Sequence, residues 1–183
     1  LMTATVYIWY PNFDDGHIGH ASMHIGPNDD AHSTTNYVSW WPLRGAGLTH
    51  PTAMKTPGTL AGDCDSEGSL PHAKYTFKPS AKLRVNEMKW AWEMTWRKPG
   101  AHYKLWQKNC STIVARILRA GGADALLNPL EQASYAHNLF WTPKDLAQWC
   151  NKLRDKGHVD KQKGSQCPVK GGVNRVFMAM GLR

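Results

Sequence analysis

The chain is predicted to be a single α+β domain over residues 1–183. Three features carry that reading: β-branched and aromatic stretches crowd the first 42 residues, a Gly-, Pro- and Thr-rich middle follows, and helical periodicities dominate after about residue 85. The sequence shows no internal repeat and no composition shift that would mark a domain boundary.

The elements follow in order. "TVYIWY" has strand composition, and "PNFDDG" after it is turn chemistry. "GHASMHIG" alternates, with Ala21, Met23 and Ile25 on one face and His20, Ser22 and His24 on the other. "YVSWW" reads as a strand ended by Pro42, and residues 43–72 as a long loop suited to substrate contacts or a lid. "AKYTF" is a further strand. "VNEMKWAWEMTWRK" reads as a helix capped by Asn86 and stopped at Pro99-Gly100. In "NCSTIVARIL" the residues Ile113, Val114, Ile117 and Leu118 share a helical face, and Gly121-Gly122 ends it. "GGADALLNPLEQAS" is short and irregular. "TPKDLAQWCNKLRDK" opens with Thr142 as cap, Pro143 at the first helical position and Asp145 completing a capping box. Residues 157–172 read as a basic loop, and "VNRVFMAM" as a closing strand or helix.

A net charge of +8 draws the protein to anionic partners, and nine tryptophans beside Lys and Arg suit a membrane interface. "KWAWEMTWRK" concentrates both, although Trp90, Trp92 and Trp96 could equally be core. No basic helix or nucleic-acid module stands out, so no nucleic-acid partner is expected. No stretch is apolar enough to span a bilayer. The opening residues lack a charged leader and cleavage site, which predicts export by another route.

Cysteine chemistry is the sharpest signal. Cys110 falls at the start of a helix, where unpaired N–H groups and the dipole favour a thiolate. Cys64 lies between Asp63 and Asp65, whose charges disfavour one. Cys150 and Cys167 could close a disulfide, a pairing the sequence does not decide. A nucleophilic cysteine needs a histidine base in reach. His20 opens a strand on its polar face, with Gly19 before it leaving room for a substrate. The series His17, His20, His24 after Asp14 and Asp15 offers a metal reading. That stretch reads as turn and strand without a zinc-ligand frame, so no metal and no other cofactor is expected.

Taken together, "GHIGHASMHIG", "YVSWWP" and "NCSTIVARIL" resemble the circularly permuted papain-like, NlpC-type hydrolases, a group that includes lecithin:retinol acyltransferase-like enzymes and permuted deubiquitinase-like peptidases. The resemblance covers roughly residues 5–120. It implies an antiparallel sheet packed on helices with the Cys110 helix central, Cys110 as nucleophile and His20 as general base. The third polar member, which such enzymes place on the next strand, falls on Ser39, with Asn36 and His24 as alternatives. Backbone N–H groups at the helix start would hold an oxyanion.

The function this implies is acyl chemistry through a Cys110 thioester, resolved by water or an acceptor. The basic, Trp-rich chain favours a phospholipase-type antibacterial toxin, similar to those delivered by type VI secretion into the periplasm or membrane of a target cell. A phospholipid membrane would then be its substrate, with an immunity protein and a secretion-apparatus carrier as partners. A cysteine amidase or peptidase acting on peptidoglycan or protein is the alternative within the same mechanism. An inactive binding module is the alternative outside it.

Overall fold

The computed structural model describes residues 2–42, 53, 58–104, 107–136, 138 and 140–165. Five strands form one antiparallel sheet: β1 (Ala4–Trp9), β2 (His20–Ile25), β3 (Tyr37–Val38), β4 (Ala73–Phe77) and β5 (Val159–Lys163), in the spatial order β3-β2-β1-β4-β5. The helices are α1 (Leu60–Glu67), α2 (Val85–Trp96), α3 (Cys110–Ala120), α4 (Pro129–Ala136) and α5 (Pro143–Asp155). The fold is α+β.

Strand β1 lies at the centre and is buried on both faces. One face carries Ala4, Val6 and Ile8, which join Ala21, Met23 and Ile25 of β2 in the main core. Helix α3 packs on this side with Ile113, Val114, Ile117 and Leu118 all buried, flanked by α2 and α5. The other face carries Tyr7 and Trp9, paired across the ladder with Ser22 and His20, and reaches Tyr37 on β3. Here α1 supplies the cover, with Leu60 and Cys64 packed against the aromatic trio.

Several elements depart from the sequence reading. The loop expected over 43–72 contains α1, held by the Thr59 hydroxyl accepting from the Gly62 N–H and closed by left-handed Gly68. Its remaining residues 43–52 and 54–57 lie outside the described residues. The helix beginning at Val85 is not capped by Asn86, which sits inside its first turn. Arg84 occupies the cap position without a side-chain hydrogen bond. The strand read from "YVSWW" is only two residues long. Part of the expected basic loop is strand β5, an exposed edge whose Val159 alone is buried. Alternating charge hid that strand, because an edge facing water needs few apolar residues. "VNRVFMAM" and Cys167, with its possible link to Cys150, lie outside the described residues. The capping box of Thr142 and Asp145 is present at α5.

Gly19 has a different reason from the one expected. Its φ is 82°, and a Cβ there would stand 2.7 Å from the Trp9 carbonyl oxygen. The residue allows the chain to turn tightly into β2 against β1, which fixes where His20 starts.

Candidate active site

Asn109 explains why the cysteine sits where it does. Its Oδ1 accepts from the Thr112 N–H at 2.9 Å, capping α3, while its Nδ2 donates to the Trp141 carbonyl at 2.9 Å. The helix start is thereby pinned to the segment that leads into α5. Cys110 becomes the first residue of α3. The Ser111 hydroxyl lies 3.9 Å from its sulfur, and the His20 ring and the Ala21 backbone N–H are near enough to favour a negative charge there. His20 is the first residue of β2, so its ring sits at the sheet end, where the strand and the start of α3 meet.

On its other side His20 meets a carboxylate. Its Nε2 lies 3.0 Å from Asp63 Oδ2, and both side chains are buried. With Nε2 engaged there, Nδ1 is the nitrogen left to face Cys110. Asp63 accepts three more hydrogen bonds: from Tyr37 Oη at 2.6 Å, Ser39 Oγ at 2.9 Å and Trp41 Nε1 at 2.8 Å. The Tyr37 oxygen is also 2.6 Å from Ser22 Oγ, so it can accept from that serine while donating to Asp63. Trp41 stacks on the His20 ring at a centroid distance of 4.2 Å, and Trp9 packs at 5.4 Å. An aromatic, nearly dry pocket thus surrounds three ionisable groups.

Burial alone would discharge each of the three, yet mutual attraction wins. Desolvation would lower the His20 pKa, but the charges of Asp63 and Cys110 and hydrogen bonds to both push it up to about 10. Burial would raise the Cys110 thiol, but His20 and the surrounding donors carry it below its ordinary value. Asp63 also falls below its ordinary value despite its burial, held down by His20, Tyr37 and Trp41. Each of the three shifts is toward the charged form: thiolate, imidazolium and carboxylate.

Ser39, expected as the third polar member, lies inside the cluster. It stands 3.4 Å from His20 Nε2, and its hydroxyl lies 2.9 Å from both Asp63 oxygens. Closer to His20 Nε2 is Asp63, which sequence reading weighed only as an acidic neighbour of Cys64. The signals for it were Thr59 as a cap and Gly68 as a stop, which together frame an eight-residue helix. Asn36 lies at positive φ just before β3, and His24 instead meets Tyr7 Oη at 3.0 Å through Nδ1. The three histidines of the metal reading go to separate partners: His17 to Glu67, His20 to Asp63 and His24 to Tyr7. Among the described residues no group of three such ligands converges.

Cys110 itself is buried. It is only 7% exposed, and His20 only 1%. Cys64 is partly buried beside Tyr7, Trp9 and Tyr37, and its thiol is raised by burial and by Asp63 and Asp65. Cys64→Ser is accordingly expected to change turnover by less than about twofold, a difference of a few tenths of a kcal/mol. Steady-state kinetics of the purified variant check this.

Known proteins resemble this chain in two ways. A segment of 73 residues, 40% of the chain, is 36% identical to the protein named "Multifunctional-autoprocessing repeats-in-toxin" from Vibrio vulnificus. The same identity over the same length holds for the protein of that name from Vibrio cholerae serotype O1. The chain spans only about 1% and 2% of the lengths of those two toxins. The family described as the IcsB middle domain matches residues 2–62 and 73–170, which takes in β1 to β5, α2 to α5, His20, Ser39 and Cys110 but only the first three residues of α1, so that Asp63 lies between the two matched stretches. The chain belongs to the IcsB middle-domain family.

Proposed function

We propose that this protein is a bacterial toxin enzyme that transfers acyl groups through a Cys110 thioester, with phospholipid acyl esters as its first substrate class. The observation that carries the reading is the contact of one buried imidazole with both a cysteine sulfur and a carboxylate. Relationship to named toxins supports the biological setting, and the basic, Trp-rich composition supports a lipid substrate. Delivery into a target cell, by a secretion-apparatus carrier and with an immunity protein protecting the producer, belongs to the same proposal.

The chemistry proceeds in two halves. The Cys110 thiolate attacks the acyl carbonyl carbon, and a sulfur–carbon bond forms as the carbonyl oxygen takes negative charge. Backbone N–H groups at the start of α3 offer that oxygen hydrogen bonds. The carbon–oxygen ester bond then breaks, and the imidazolium of His20 gives its proton to the departing alkoxide. Neutral His20 next takes a proton from water or another nucleophilic acceptor, which attacks the thioester and releases Cys110. Asp63 keeps the ring oriented through both halves and stabilises its charged form, and Tyr37, Ser39 and Trp41 keep Asp63 in place.

Incubation with defined phospholipid vesicles, with free fatty acid and the intact mass of the protein followed together, tests the proposal. An acyl adduct on Cys110 and fatty-acid release are expected, and both should vanish in His20→Ala. Release of fragments from muropeptides or a peptide, with phospholipid untouched, would replace the lipid reading by the amidase one. Inertness of folded, reduced protein toward all three would leave a binding module.

A further inference from the structure

Helices α2 and α3 pack against each other. The α2 start is tied to the α3 end, where the Arg84 N–H donates to the Gly121 carbonyl at 2.9 Å. Residues 97–109 link the α2 end to the α3 start. Cations accumulate there. Lys104 and Lys108 stand opposite each other in a short antiparallel bridge, an arrangement that like charges oppose. Lys108 lies 5.1 Å over the Trp40 ring, and its ammonium is pulled below its usual range by burial and by the charges of Arg116 and Lys98. His102 is pushed down by Lys108, by burial and by Lys104 and Lys98. Among the described residues Lys98, Lys104, Lys108 and Arg116 have no ion-pair partner, whereas Arg97 beside them is paired with Glu93. Four cations are thus held together against their own repulsion.

The same end of the molecule exposes apolar groups. Trp92, the buried tryptophan of α2, packs on Trp40, but Trp90 is 64% and Met94 is 51% exposed. These two lie one turn apart on one face of α2, and Lys98 follows just after the helix ends. A flat strip of exposed Trp and Met beside unpaired Lys and Arg has a clear complement. The aromatic ring enters a headgroup layer and the cations meet lipid phosphates.

We infer that the exposed face of α2, together with Lys98, Lys104, Lys108 and Arg116, is a docking surface for an anionic lipid bilayer. Docking would place the start of α3 at the headgroups. The inference rests on the acyl-transfer reading only for that orientation, since binding can be measured without turnover.

The test is co-sedimentation of the full chain with vesicles of phosphatidylcholine alone and of phosphatidylcholine with phosphatidylglycerol, at low and high salt. Binding to the anionic vesicles is expected to exceed binding to neutral ones and to weaken as salt rises from about 0.1 M to about 1 M, where the screening length falls to roughly 3 Å. The triple variant Lys98→Ala/Lys104→Ala/Arg116→Ala should lose on the order of a hundredfold in affinity, and Trp90→Ala about tenfold. All four positions are exposed, and thermal melting of the triple variant should match or exceed that of the parent because repulsion has been relieved. Cys110→Ala should bind as the parent does, which separates failure of docking from failure of catalysis. Equal binding to both vesicle types, or undiminished binding by the triple variant, would overturn the inference. So would neglect of vesicles combined with capture of a DNA duplex that the triple variant loses, which would make the patch a nucleic-acid surface.

Discussion

Cys110→Ala is expected to lower acyl-transfer turnover by roughly 10⁴-fold or more, because the step it removes is the formation of the covalent bond itself. The fold should survive. Position 110 is the first residue of α3, where Ala is well tolerated, and the cap that starts the helix belongs to Asn109. The His20–Asp63 pair also remains, so the imidazolium keeps a buried counter-charge. Kinetics together with thermal melting check the prediction. A variant that melts within a few degrees of the parent and still turns over substrate would move the nucleophile elsewhere.

Asp63→Asn is expected to have the second large effect, on both activity and stability. Asp63 presents two acceptor oxygens to His20, Tyr37, Ser39 and Trp41. An amide keeps only one acceptor and can turn an N–H toward the imidazolium, which also donates. The buried imidazolium is then uncompensated. Turnover should fall by about 10²–10⁴-fold, as when a carboxylate that orients a catalytic histidine is neutralised. Stability should fall by about 3–5 kcal/mol, the usual cost of breaking one partner out of a buried pair.

The pH dependence of stability gives this prediction a sign. His20 has its folded pKa raised from 6.5 to about 10, so its contribution is full below about pH 6.5 and is lost as pH climbs through about 10. Asp63 has its folded pKa depressed below 3.8, so its contribution is present above that value and is lost as pH falls further. The pair therefore stabilises most between about pH 4 and 6.5 and fades toward 10. In Asp63→Asn that profile should flatten, which equilibrium unfolding in urea across the pH range would show.

How much of this was legible beforehand depends on what each residue's signal was. Cys110 and His20 could be read because each sits at a punctuated boundary. An Asn cap precedes one, a turn glycine precedes the other, and periodic apolar residues follow both. The α+β class could be read for the same reason, since β1, β2, α3 and α5 bury continuous faces and their sequences show it. Helix α1 buries little, with Asp63 its one fully buried residue, so it has almost no amphipathic pattern to detect. Its function is to carry a carboxylate across the aromatic face of the sheet to His20. Such a meeting of residues 43 positions apart leaves no local trace. The closed state of the site was equally hidden, because Trp9 and Trp41 wall it from different elements and only the folded packing brings them to His20.

The central claim is that His20 holds the Cys110 thiol below its ordinary range before substrate arrives. The rate of alkylation of Cys110 by iodoacetamide, followed against pH by peptide mass spectrometry, tests it most directly. The rate is expected to rise and level off below the ordinary thiol value of 9.0. In His20→Ala the plateau should disappear, leaving a rate that keeps rising through about pH 9. A parent protein whose Cys110 rate rises in the same way, with no plateau below 9, would contradict the account.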